Sequence, residues 1–257
     1  MSNQELLVSK IRGERDSSYR RHATEREYPT ERGVMEHEEM LPRFKGLTFV
    51  EHIKKFGEIG QPVSVLDIGC GQGYLLGELL DPDEGYPPIS AYGVSAFDYR
   101  PYLGDRKDYV DPDDKIDYRI GDAHRLNKVF PDVRFDIVVS GYTFQWLIDP
   151  LVAVKQAYRV CKEGGIVFLD FFGAPLNQSE ADLLLDFWGK HGVKANLQNR
   201  IDYGDSTFGH LAVSMQRGSN PHLPMPFNYT GLESRSFNGV SEERLSYEFN
   251  LEKASRV

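Results

Sequence analysis

The segment VLDIGCGQGYLLGELL (65–80) has the composition of a ligand-binding loop between a strand and a helix. An apolar run ends in Asp67, three alternate glycines follow between positions 69 and 73, and a helical pattern begins near Tyr74. Glycine permits positive φ angles and lets a ligand approach the main chain, while a helix N-terminus offers unpaired N–H groups. A tight turn without a ligand would explain a single glycine, but the carboxylate and the three glycines together favour a binding loop.

Two phosphate-binding motifs can be compared with this loop. A dinucleotide fingerprint would require a glycine at the position where Tyr74 stands. A P-loop would require Gly-Lys followed by Ser or Thr, and the loop lacks that sequence. The spacing therefore disfavours both kinds of phosphate site.

Short apolar runs, separated by longer connections, must position this loop. Such runs are typical of buried parallel strands with crossovers on both faces of a sheet. Five of them span residues 63–69, 89–95, 116–122, 135–141 and 164–172, and residues 193–198 and 210–216 are two further strand candidates. We predict an α/β fold with a doubly wound, mostly parallel seven-stranded sheet and N-terminal helices as a cap.

The pattern of polar and apolar residues changes twice along the sequence and divides the chain into three parts. We predict a helical cap or lid over residues 1–59, an α/β core over 60–217 and a C-terminal extension over 218–257. Thr48, followed three residues later by Glu51, predicts a capped helix start, and Ser179 is expected to cap a later helix. The extension is an extra strand, a cap over the site or a dimer arm, and the sequence does not choose among these.

The composition restricts the partners that the protein is expected to have. Of 257 residues, 30 are Lys or Arg and 39 are Asp or Glu, so the formal net charge is −9. An acidic surface repels phosphate backbones, which makes nucleic acid an unfavoured partner. Two cysteines cannot form a Cys-rich metal site, and we expect no metal. No apolar run approaches the roughly 20 residues of a membrane helix, and the N-terminus has no apolar run, so we expect a cytoplasmic protein.

The run LDIGCGQG (66–73) resembles the first motif of class I S-adenosylmethionine (SAM)-dependent methyltransferases. The resemblance continues from about residue 60 to 217 through four later segments in the order and spacing of that family: AYGVS, GDAHRL, FDIVVSGYTFQWLIDP and AYRVCKEGGIVFL. It implies a Rossmann-like methyltransferase fold, SAM as the cofactor and S-adenosylhomocysteine (SAH) as its product. The FQW triplet within the third of these segments is similar to carboxyl O-methyltransferases that act on trans-aconitate or malonyl thioesters.

The resemblance also implies a set of cofactor-binding residues. Asp122 would accept a hydrogen bond from the adenine amino group, with Ala123 beside the ring. Ser95 stands where the family carries an acidic residue for the ribose, and Asp98, three residues on, is the alternative. The full implied set is Asp67, Gly69, Cys70, Gly71, Ser95, Asp98, Asp122, Ala123, Ser140 and Gly141.

Methyl transfer needs little catalytic machinery, because a sulfonium methyl is already a strong electrophile and holding the reactants in line supplies much of the effect. A carboxylate or neutral amine can attack without a base, whereas an alcohol or phenol benefits from one. The candidate bases are Asp170, His124 and His191, and none is preferred strongly enough to be assigned. The residues expected to contact a small-molecule acceptor are Tyr19, Arg20, Tyr142, Trp146 and Phe171.

The sequence therefore predicts a SAM-dependent methyltransferase that acts on O, or on N, of a small molecule. Two alternatives remain: a protein or tRNA methyltransferase, for which residues 10–21 would supply a local basic patch, and a non-catalytic SAM-binding or scaffold module of the same fold. A homodimer is left open.

Overall fold

The computed structural model describes residues 33–99, 110–111, 114–141, 143–200, 210–237 and 240–255. Its elements, in chain order, are α1 (Val34–Met40), α2 (Phe49–Gly57), β1 (Val63–Ile68), α3 (Tyr74–Leu80), β2 (Ile89–Ser95), β3 (Asp117–Ile120), α4 (Leu126–Val129), β4 (Phe135–Ser140), α5 (Pro150–Val160), β5 (Cys161–Leu169), α6 (Gln178–Lys190), β6 (Lys194–Arg200), β7 (His210–Gln216), β8 (Phe227–Phe237), β9 (Val240–Phe249) and α7 (Leu251–Ser255). No helix in these ranges is both long enough and apolar enough to cross a membrane.

The strands form the predicted seven-stranded sheet, in the order β3-β2-β1-β4-β5-β7-β6. Strands β1 to β5 pair in parallel, and β7 runs antiparallel to both β5 and β6. The strand order reverses between β1 and β4, which is the topological switch point where open α/β sheets bind ligands. The doubly wound, mostly parallel fold is therefore confirmed.

The central strands are buried on both faces, which explains their continuous apolar sequence. In β4, Val138 packs on one side, while Ile137 and Val139 pack on the other. The first side carries α5 and α6, and the second carries α1, α2 and α3. Successive strand side chains point to opposite faces, so a strand covered by helices on both sides needs apolar residues at every position.

Helix starts follow the capping chemistry, with one shift from the prediction. Thr48 caps α2 as expected, accepting from the Glu51 amide, while the Glu51 carboxylate accepts from the Thr48 amide. Helix α6 begins earlier than predicted, because Asn177 rather than Ser179 is its N-cap. Asn177 accepts from the Glu180 amide, and the Glu180 carboxylate completes the capping box.

The C-terminal extension contains a separate two-stranded sheet, the β8–β9 hairpin. Its backbone is attached to the segment that follows β4, since the Leu245 amide donates to the Ile148 carbonyl over 2.8 Å. The side chains of Ile148 and Leu245 are buried against each other. The hairpin is thus an added β element that packs beside the carboxyl end of β4.

Candidate functional site

The loops that follow the five parallel strands meet at one edge of the sheet. Backbone hydrogen bonds join them in pairs: the Gly69 amide donates to the Val94 carbonyl (2.7 Å), the Gly121 amide to that of Ser95 (2.9 Å), and the Asp170 amide to that of Ser140 (3.2 Å). Most of the predicted site residues follow these strand ends. The fold therefore brings together residues that are more than 100 positions apart in the sequence.

The glycine loop after β1 has the backbone that its composition predicts. Gly69, Gly71 and Gly73 all have positive φ, at +80°, +54° and +95°. Cys70 is buried between them, and a Cβ at Gly93 on β2 would lie only 2.7 Å from the Cys70 sulfur. The cysteine therefore fills the space beside a glycine of the neighbouring strand, and the loop's main chain follows a path that L side chains rarely adopt.

Asp67, one residue before the end of β1, is 3% exposed. Burial raises the pKa of its carboxyl group from its ordinary value to about 7, because the low-dielectric interior disfavours the charged form. A cation bound beside such a buried carboxyl group would favour its ionised form.

The end of β2 is held by a residue that the sequence analysis did not single out, Tyr118 of β3. Its hydroxyl lies 2.7 Å from the Gly71 carbonyl oxygen and 3.1 Å from that of Phe97, and both are acceptors for its proton. Ser95 is buried next to this hydroxyl, and burial raises the pKa of the Tyr118 phenol far above its ordinary range. Asp98 is half-buried in the same turn. Tyr118 thus ties the glycine loop to the segment after β2.

His124 is fully engaged in the structure. Its Nδ1 donates to the Asp122 carboxylate over 2.6 Å, and its Nε2 accepts from the Asp149 amide over 3.1 Å. These two bonds fit the tautomer whose proton is on Nδ1, and they engage both ring nitrogens. His124 therefore orients Asp122, while Ala123 is buried beneath the same turn.

This chain of contacts extends to the C-terminal hairpin. The Asp149 carboxylate caps α5 by accepting from the Val152 amide, and it also pairs with the Tyr247 phenol of β9. Burial and the nearby carboxylate raise the pKa of Tyr247 above its ordinary range. The position of Asp122 is thus linked, through His124 and Asp149, to the hairpin.

The carboxyl end of β4 carries Ser140 and Gly141. The buried Ser140 hydroxyl donates to the Ile68 carbonyl over 2.7 Å and so joins β4 to β1. Helix α1 covers Gly141, because a Cβ there would lie 2.8 Å from both Nε2 of His37 and Cε of Met40. His37 is another residue that sequence reasoning missed; it is buried, and its Nδ1 donates to the Gly33 carbonyl over 2.8 Å.

The remaining predicted residues fall into three groups. Asp170 and Phe171 are buried at the end of β5, and Trp146 is half-buried in the short turn after β4. His191 lies away from the site. It follows the end of α6, near the start of β6 and so at the opposite edge of the sheet, and its Nδ1 donates to the Phe187 carbonyl. Tyr19, Arg20 and Tyr142 lie outside the described residues.

Comparison with known proteins identifies the central part of the chain. Residues 66–169 match the model of a methyltransferase domain family. The chain is 32% identical over 123 residues to the biotin biosynthesis bifunctional protein BioHC of Teredinibacter turnerae, covering 46% of this chain and 20% of that protein. It is 26% identical over 114 residues to the malonyl-[acyl-carrier protein] O-methyltransferase of Halalkalibacterium halodurans, covering 44% of this chain and 40% of that protein.

The chain thus spans less than half the length of these curated relatives. Among solved structures, the plantazolicin methyltransferase BamL, in complex with a triazolic desmethylPZN analogue and SAH, aligns with a TM-score of 0.49 at 15% identity, covering 84% of this chain and 99% of that one. The matched residues 66–169 include the glycine loop and the strands β2 to β5 that surround it. Residues 66–169 are therefore a methyltransferase domain, as the sequence motifs implied.

Proposed function

We propose that this protein transfers the methyl group of SAM to an oxygen, or a nitrogen, of a small-molecule acceptor. The observation that supports it best is that a left-handed glycine loop and the buried Asp67 carboxyl group lie at the β1–β4 switch point, while the Asp122 carboxylate follows β3 at the same edge of the sheet. The net charge of −9 favours a small acceptor over RNA.

The donor set at this edge fits the cofactor. SAM carries a cationic sulfonium and an ammonium group, for which a buried carboxyl group such as Asp67 is a suitable neighbour. The half-buried Asp122 carboxylate, held in place by His124, suits the adenine amino group. We assign cofactor contacts to Asp67, Gly69, Cys70, Gly71, Ser95 or Asp98, Asp122, Ala123, Ser140 and Gly141.

When bound, SAM supplies a methyl carbon attached to a sulfonium sulfur: a lone pair of the acceptor forms the new bond to that carbon, the C–S electron pair returns to sulfur, and SAH is left. The chain's own residues hold the reactants in line and exclude water. Among the candidate bases, both ring nitrogens of His124 are hydrogen-bonded and His191 lies at the opposite edge of the sheet, which favours Asp170 as the base for an acceptor that loses a proton.

Isothermal titration with SAM and with SAH tests this proposal. We expect micromolar binding of both to the purified chain. Asp122→Ala should weaken SAM binding by about 1–3 kcal/mol, because the adenine amino group loses its acceptor. Asp132→Ala, which removes an exposed carboxylate before β4, is the matched control and should change nothing.

A second variant separates a direct role of Asp122 from an indirect one. His124→Gln removes the imidazole that orients Asp122 but keeps the carboxylate, so it should weaken SAM binding less than Asp122→Ala does. Failure of the unaltered chain to bind SAM and SAH would contradict the proposal and favour the scaffold alternative. Unchanged affinity in Asp122→Ala would refute the adenine assignment alone.

A further inference from the structure

The β8–β9 hairpin, which lies outside the matched methyltransferase domain, carries a deeply buried arginine. Arg244 of β9 is 1% exposed, and its Nε donates to the carboxylate of Glu233, directly opposite on β8. Its guanidinium carbon lies 4.9 Å from the centre of the Phe171 ring, in a cation–π contact. The side chain therefore points from the hairpin toward the end of β5.

The two terminal nitrogens of Arg244 have unused hydrogen-bonding capacity. Within the described part of the chain, Nη1 and Nη2 are shielded from solvent and have no hydrogen-bond partner. A guanidinium cannot lose its proton under ordinary conditions, and burying N–H donors without acceptors is costly. A paired arrangement of two N–H groups matches the two oxygens of a carboxylate, which can satisfy both at once.

The location of Arg244 connects it to the methyltransferase site. Phe171, whose ring lies against the guanidinium, is the second residue after β5. Asp170 is the first residue after that strand. The neighbouring Leu245 is hydrogen-bonded to the segment after β4. The guanidinium thus lies beside the carboxyl ends of β4 and β5, where the crevice of an open α/β sheet receives its ligands.

We propose that Arg244 binds a carboxylate group of the methyl acceptor through Nη1 and Nη2, so that the acceptors of this enzyme are organic acids. This inference rests on the proposed function. Glu233 engages only Nε, so it holds the guanidinium in the plane that presents the other two nitrogens. Because the site is shielded from water, the ion pair with the acceptor is stronger than an exposed one.

Thermal shift and isothermal titration at saturating SAH test the inference. The probes are malonate, trans-aconitate and benzoate, and malonamide and benzamide are the neutral counterparts of malonate and benzoate. We expect at least one acid to bind the unaltered protein and the amides not to bind. Arg244→Gln should weaken that acid at least about tenfold while leaving SAH affinity unchanged. Arg244→Lys keeps the charge but loses the paired donors, and it should weaken the acid to an intermediate degree.

Two further variants distinguish the loss of a carboxylate-binding site from the unfolding of the hairpin. Arg119→Gln removes an arginine on β3, at the far edge of the sheet, and should leave acid binding unchanged. Glu233→Gln keeps an oxygen acceptor for Nε, and so keeps the orientation of the guanidinium, but removes the negative charge beside it. Acid affinity should therefore stay the same or rise, and a fall would contradict the inference even if the Arg244 variants do not fold.

The outcomes separate this inference from the proposed function. SAH binding without any response to the three acids would overturn the carboxylate site and leave the methyltransferase assignment intact. Equal acid binding by the unaltered protein and Arg244→Gln would overturn it as well. The chain could also bind an acid in a way that depends on Arg244 and yet fail to bind SAH. That result would contradict the proposed methyl transfer, and with it the proposal that the bound acid is the methyl acceptor.

Discussion

Alanine at position 69 should destabilise the protein by about 2–5 kcal/mol and abolish SAM binding. Gly69 has φ +80°, and an added Cβ would lie 1.9 Å from Oγ1, 2.5 Å from Cγ2 and 2.6 Å from Cβ of Thr143. Rotating the threonine does not relieve this contact, because its own Cβ is too close. The glycine loop and the segment after β4 must therefore move apart, which disrupts the switch point.

A second glycine provides the matched control for the backbone component. Gly164 has φ +79°, nearly the same as Gly69, but nothing lies within 4 Å of an added Cβ. Gly164→Ala should therefore cost only the left-handed backbone penalty of about 1–2 kcal/mol and leave SAM binding unchanged. Chemical denaturation and titration of both variants measure the difference.

The double variant Gly69→Ala/Thr143→Gly identifies the cause of the larger loss. Because it removes the threonine side chain that the new methyl group meets, its stability should recover to about the level of Gly164→Ala. Equal losses in Gly69→Ala and Gly164→Ala would show that the contact with Thr143 does not matter and that the loop tolerates the added methyl group.

The sequence predicted the sheet and its site edge because both depend on local patterns. Continuous apolar runs identify strands that are covered on two faces, and alternate glycines identify a backbone of positive φ. Parallel strands then place all their carboxyl ends at one edge, so Asp67, Asp122 and Asp170 could be assigned to the same region before any contact was known.

The residues that were missed depend on contacts between distant segments. His37 lies over Gly141 and Arg244 over Phe171, yet more than 70 positions separate the members of each pair. No periodicity or motif marks such a pairing. Tyr118 lies in a strand that was predicted, but its role comes from the direction of its side chain. His124 shows the converse: its type suggested a base, whereas its two hydrogen-bond partners favour a positioning role.

The helix cap at Asn177 was missed for a simpler reason. Both Asn177 and Ser179 are good N-cap residues, and local sequence does not separate them strongly. Glu180 stands three residues after Asn177 and completes a capping box there, whereas Ser179 would have to cap without that reciprocal bond. The residue three positions after each candidate cap therefore distinguishes the two helix starts.

Asparagine at position 67 should remove a large part of the pH dependence of stability. Burial raises the Asp67 pKa from 3.8 to about 7, so between these values the folded state holds a proton that the unfolded state has released. The stabilising effect is therefore fully present below pH 3.8 and is lost as the pH rises through 7. A shift of this size corresponds to a loss on the order of 4 kcal/mol.

Asp67→Asn cannot ionise and imitates the protonated carboxyl group. Its free energy of unfolding should resemble that of the unaltered protein at acid pH and exceed it by several kcal/mol above neutrality, with Asp132→Asn as the exposed control.

SAM affinity should show the opposite trend, because a cationic cofactor favours the ionised carboxylate: the affinity should rise with pH in the unaltered protein and not in Asp67→Asn. Denaturation and titration series on either side of pH 7 measure both effects. Parallel stability curves for the two proteins would contradict a raised pKa at Asp67, and parallel affinity curves would place the cofactor's charge away from this carboxyl group.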